Sequence, residues 1–234
     1  DDYADVQTAE LYNGLIRQIE YLSTAEIAYD TAYMHAISCS VGFFRLITKY
    51  EDDANFDQGI YIKRIINPLA VHFDPYAVEF TLEDARYCFI EELVDKKGFK
   101  KRYPGSEVQD FDSSSTATLF GDWMAHDKVR VCEYFKKEPV KTKIVQLSTG
   151  EIVPIKGKVS IQSIKEFGFE IVRERMVDSH IVKWCKLNGV EILEESTWAS
   201  KYIPVIPVFG DEVVSEGKKY YLSLARGAKG PQQM

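Results

Sequence analysis

The stretch from Ser23 to Tyr50, STAEIAYDTAYMHAISCSVGFFRLITKY, constrains the fold more than any other, because it reads as a helix passing through a glycine directly into a strand. Ser23 stands three residues before Glu26, the spacing of a capping box in which each side chain satisfies the other residue's backbone N–H. Ala25, Ala28, Ala32 and Ala36 recur at helical spacing, so one face of this helix is small enough for a neighbouring element to come close. Gly42 is expected to end the helix in the left-handed conformation, and Phe43 to Tyr50 then has the aromatic and β-branched content of a strand. A chain built on this unit adds further sheet to that strand.

An earlier helix runs from Thr8 to about Leu22, with Leu11, Leu15, Ile19 and Leu22 forming a stripe that is expected to pack antiparallel on the second helix through Ser23-Thr24. Gly14 inside it costs about 1 kcal/mol relative to alanine, which is tolerable where another backbone approaches. Beyond Tyr50 come an acidic turn from Glu51 to Asp57, strands over 60–66, 69–73 and 85–94, and an exposed loop up to Asp84. Asp95 then caps a short basic helix, KKGFKKRY, whose Lys96, Lys97, Lys100, Lys101 and Arg102 form the densest positive cluster in the chain. Its plain reading is a solvated face anchored by Phe99 and Tyr103.

Residues 106–126 turn to Ser, Thr, Asp and Gly and read as a flexible loop. The second half is β-rich, with strands over 128–136, 142–147, 151–155 and 169–177. Asn188-Gly189 is expected to form a type I′ turn between 180–187 and 190–195. Residues 202–210 carry two prolines and fit only an edge strand or an extended crossover. The fold class is therefore α+β: an N-terminal helical hairpin on a mostly antiparallel sheet over 1–105, then a β-rich half with hairpins over 127–234.

At 45% hydrophobic and 13% aromatic residues, 234 residues can bury a substantial core. A net charge of −7 argues against a broad basic face for nucleic acid, although not against a surface past which DNA slides. No apolar run approaches the roughly 20 residues of a membrane-spanning helix, and no membrane partner is expected. Cys39, Cys88, Cys132 and Cys185 lack zinc spacing and read as buried thiols, and His35, His72, His126 and His180 show no H-x-x-x-H or H-x-H pattern.

The acidic turn places Asp53, Asn55 and Asp57 at alternate positions like a calcium loop, but Gln58 replaces the required glycine and Arg64 the bidentate glutamate. His35 and Cys39 share a helix face and could form a reactive pair, with no residue placed to orient the imidazole. Glu91-Glu92 and Glu194-Glu195 read as solvated charges, and neither G-x-G-x-x-G nor G-x-x-x-x-G-K-[ST] occurs. No catalytic, cofactor-binding or metal-binding residue is assigned and no cofactor is expected, which leaves a non-catalytic structural domain.

Four separated segments, YDTAYMHAISCSVGFFRLITKYEDD, FDQGIYIKRIINPLAVHFDP, IVRERMVDSHIVKWCKLNGVEILEE and YIPVIPVFGDE, resemble the portal proteins, or head–tail connectors, of short-tailed bacteriophages and related prophages. The resemblance covers almost the whole chain and is weakest over 106–126 and 156–168. It implies a ring of identical subunits, usually dodecameric, at one capsid vertex. Such a ring meets capsid and scaffolding proteins, docks terminase, passes double-stranded DNA without sequence specificity, and later holds tail or adaptor proteins. It also implies a place in the virion after assembly in the host bacterial cytoplasm.

The chain looks like a portal wing with its adjoining body, continuous as one domain, with further parts expected before Asp1 and after Met234. Such a piece is expected to close rings poorly on its own. No catalytic residue carries over, since ATP hydrolysis belongs to terminase. The alternatives are a phage-derived hydrolase with a Cys/His or carboxylate site, and a generic β-rich binding module.

Overall fold

The computed structural model describes residues 2–106, 128–155, 164 and 168–232, so the expected loop over 106–126 lies almost entirely outside the described residues. The chain forms two compact units: residues 1–92 with 204–234, and residues 93–203. Two N-terminal helices precede mostly antiparallel sheet, the α+β arrangement expected from the sequence.

The first unit opens with α1 (Asp2–Ser23) and α2 (Ala25–Cys39), separated by Thr24 alone. Thr24 has φ 49° and makes no side-chain cap, so the expected capping box does not form. Ser23 instead ends α1, and its hydroxyl accepts a hydrogen bond from the Ile62 backbone N–H at 2.9 Å. The helix end thereby satisfies a backbone donor on a sheet strand rather than on the next helix.

Strand β1 (Val41–Tyr50) pairs antiparallel with β2 (Gln58–Arg64) on one side and with β9 (Val205–Phe209) on the other. The two-proline segment is thus an edge strand, as expected from proline's missing N–H. What sequence order hides is its partner, the first strand of the chain, with Pro207 opposite Phe43.

Ala25, Ala28, Ala32 and Ala36 form the buried face of α2, which packs on β1 and β2. Gly42 is a strand residue and does not have positive φ; the left-handed residue that ends α2 is Ser40, at φ 76°, whose N–H donates to the Ala36 carbonyl. Gly42 is required for a different reason. A Cβ there would fall on the carbonyl oxygen of Ala32, so only a hydrogen lets the strand lie this close to the helix.

A short 3-10 turn (Pro68–Ala70) leads to β3 (Val71–Phe73), which pairs with β4 (Tyr87–Asp95). The unit closes with the hairpin β10 (Asp211–Ser215) and β11 (Lys218–Leu222), followed by α4 (Leu224–Gln232). Glu216 and Gly217, at φ 52° and 75°, supply the two positive angles of a type I′ turn between β10 and β11.

In the second unit, α3 (Lys96–Arg102) follows Asp95, whose carboxylate caps it by accepting from Lys97 and Gly98 N–H, each at 3.1 Å. Two strands dominate: β5 (Lys128–Leu147) and β7 (Ile171–Leu187), paired antiparallel from Cys132 opposite Leu187 to Leu147 opposite Ile171. Each was expected as two shorter strands. The break expected over 137–141 does not occur, because β7 stays in register across it, with His180 opposite Pro139.

β6 (Ile152–Ile155) pairs with β5, and β8 (Ile192–Trp198) with β7. Asn188-Gly189 is not the expected two-residue turn. Only Gly189 has positive φ, and the Asn188 side-chain oxygen accepts from Val190 and Glu191 N–H, making a longer Asx-stabilised loop.

Candidate functional site

Helix α1 has the surface least expected from the sequence. Leu11 and Leu15 are 65% and 46% exposed, and Leu22 is exposed as well. Near the C-terminal end of α1, Ile19 packs on the cluster of Ala25, Ala28 and Ile62, and Glu20 accepts from the Tyr29 hydroxyl at 3.0 Å. The leucine stripe does not pack along α2 because the alanine face of α2 is already covered by β1 and β2. Nothing within 4 Å would touch a Cβ at Gly14, so no second backbone approaches there.

The acidic turn between β1 and β2 folds on its own polar groups. Asp53 N–H donates to Asp52 Oδ1 at 2.7 Å, and the Asn55 amide donates to Asp57 Oδ2 at 2.7 Å. Phe56 projects from this turn and is 93% exposed. Among the described residues, no group of three or more His, Cys, Asp or Glu is placed to hold a metal ion.

Asp74, expected in an exposed loop, is 4% exposed, and its carboxylate accepts from Arg86 Nε at 2.6 Å and from the Tyr76 and Arg86 backbone N–H groups. The hydrogen bond from Arg86 chiefly holds its pKa down to about 2, against the cost of burial. Asp84 works alongside it, accepting from Val78 and Glu79 N–H. These two carboxylates bind down the 74–86 connection, and no periodicity in the sequence marks either of them.

In the second unit, α3 is anchored as expected through Phe99, which is 1% exposed and contributes roughly 2–3 kcal/mol by that burial. Tyr103 donates to Glu194, which also meets Arg102 at 3.4 Å. Burial, then the bond to Glu194, pushes the Tyr103 pKa up to about 12. Glu194 is thus a structural anchor and not the solvated charge its sequence context implies.

On the neighbouring sheet face, Glu138 bridges Lys183 at 2.7 Å and Lys136 at 3.4 Å, and the bond from Lys183 lowers its pKa. Cys185 is next to this network, and burial and Glu195 push its thiol pKa up, the opposite of thiolate activation.

The histidines are scattered. His35 Nδ1 is buried without a hydrogen-bond partner among the described residues, His72 is 3.6 Å from Glu91, and His180 Nε2 donates to the Lys201 carbonyl at 2.6 Å. His126 lies outside the described residues. The exposed Cys39 thiol is 3.6 Å from the Ser38 hydroxyl. No bond joins His35 or His180 to a thiol or carboxylate among the described residues.

Chemistry is therefore dispersed, and the conspicuous features are surfaces: an apolar helix face, an aromatic at an acidic tip, and a basic helix. Residues 1–234, the whole chain, match the family model of the phage P22-like portal protein. With that match along its full length, the chain belongs to the P22-like portal proteins of bacteriophages, structural components of the virion.

Proposed function

We propose that this chain supplies subunit-contacting mass of a portal ring of twelve copies at one capsid vertex, through whose channel double-stranded DNA is packaged and ejected. Terminase docks on such a ring during packaging, and tail or adaptor proteins replace it afterwards, with capsid and scaffolding proteins around it. The role is structural, and no residue is given a catalytic part.

The observation that carries this reading is the family match over all 234 residues. The exposed leucines of α1 support it, since apolar surface of this kind is covered in an assembly. The net charge of −7 supports a surface that does not trap DNA. The competing hydrolase reading gains nothing from His180, which is held on a backbone carbonyl, or from Cys185, whose thiol is less acidic than usual.

Electron microscopy of the full gene product tests the proposal. Closed rings of twelve are expected, and the absence of any cyclic particle overturns it. Duplex DNA titrated against the same rings is expected to bind weakly, and tight, strongly salt-dependent binding overturns the sliding surface.

A further inference from the structure

The two units carry charge of opposite sign. Residues 1–92 with 204–234 hold 20 acidic and 10 basic residues, a net −10, whereas residues 93–203 hold 16 acidic and 19 basic, a net +3. Within this imbalance two patches lack local neutralisation. Glu51 and Asp53, in the acidic turn, make no side-chain ion pair among the described residues, and Phe56 beside them is 93% exposed. Lys97, Lys100 and Lys101 on α3 are exposed and also make no ion pair among the described residues, although Phe99 and the Asp95 cap hold the helix itself firmly.

An exposed aromatic ringed by carboxylates has the make-up of an interface anchor: the ring supplies area to bury, and the charges select the partner. The partner that fits presents a fixed basic patch, and every copy of this chain carries one. We propose that in the ring the Phe56-tipped acidic turn between β1 and β2 of one copy docks on the basic α3 face of the next copy. The inference rests on the ring reading above. The contact joins two different patches, so it is heterologous and propagates in one direction around a ring.

Such a contact has a distinctive genetic signature in the full gene product. Glu51→Lys, Asp52→Lys and Asp53→Lys take residues 51–57 from a net −4 to +2, and Lys97→Glu, Lys100→Glu and Lys101→Glu take α3 from a net +5 to −1, in each case at exposed positions that leave the Asp95 cap and the Asp57–Asn55 bonds intact. Each triply substituted protein alone is expected to need on the order of tenfold more protein to form rings by sedimentation and electron microscopy. An equal mixture of the two is expected to recover assembly, because each acidic turn then meets a basic α3 and each basic turn an acidic one. Phe56→Ser is expected to weaken assembly while leaving its salt dependence in place.

Wild-type protein that forms no rings overturns the ring reading itself. Wild-type rings that either charge reversal leaves unchanged, or a mixture that fails to recover, overturn this contact alone. Normal rings that no longer enter procapsids assign the turn to a capsid or scaffolding partner and overturn the proposal equally.

Discussion

Helices α1 and α2 are joined by one residue, and each stands near a glycine, yet the two glycines answer opposite demands. Gly42 faces the α2 backbone so closely that a Cβ would lie on the Ala32 carbonyl oxygen, whereas at Gly14 in α1 a Cβ would meet nothing within 4 Å. The difference follows from side-chain volume. Four alanines let α2 settle onto β1 and β2 until backbones touch, and that closed packing leaves the larger leucines of α1 without a helix face to receive them. Helix α2 is stabilised within the chain, and the outer part of α1 presents its apolar stripe to the surroundings.

The severest way to break this comparison is Gly42→Val. Overpacking against backbone cannot be relieved by a rotamer change, so a loss of more than about 3 kcal/mol is expected, or failure to fold. Urea unfolding measures it, and a variant with wild-type stability would remove the argument for close approach. A polar counterpart of the same closed packing is Asp74. Its replacement by alanine removes the charged hydrogen bonds from Arg86 and is expected to cost about 1–3 kcal/mol at neutral pH.

The sign of the pH effect follows from the lowered pKa of Asp74, about 2 against an ordinary 3.8. Its contribution is fully present above about pH 4 and is lost as pH falls through 2, because the protonated carboxyl no longer holds Arg86. The stability gap between wild type and Asp74→Ala is therefore expected to narrow across that window. A gap that stays constant from pH 7 to about 2 would assign the cost to packing.

Local signals were legible where one residue decides the outcome. The Asp95 cap, the alanine face and the restriction of 202–210 to an edge strand or an extended crossover all follow from the chemistry of single residues or one period. Elsewhere a distant partner decides. Ser23 and Glu26 have capping-box spacing, but the Ile62 N–H, 39 residues away, takes the Ser23 oxygen. Residues 137–141 read as a gap between two strands until β7 lies beside them, and Asp74 reads as a loop carboxylate until Arg86 arrives from 12 residues on. The leucine stripe was visible, but whether a stripe faces the chain's own core or another molecule is not written in its period.

Ser23→Ala separates the two accounts of the helix junction. With the observed bond, the Ile62 N–H loses its acceptor and about 1 kcal/mol is expected to go, while Glu26→Ala changes stability by less than about 0.5 kcal/mol. A capping box would make both substitutions costly by similar amounts. Denaturant midpoints of the two variants decide between them.

Gly14→Ala is the gentlest probe and bears on α1 alone. The site is open, the helix continues through it, and alanine restricts the unfolded chain, so a gain of up to about 1 kcal/mol in helix stability is expected. Because residues 6–18 of α1 are exposed, that gain is expected as slower amide exchange over residues 8–18, with little shift in the global unfolding midpoint. A large rise in the global midpoint would show that α1 folds as part of the closed packing of α2. Slower exchange confined to α1 would instead show a helix stabilised by its own backbone, whose apolar face remains open to a partner.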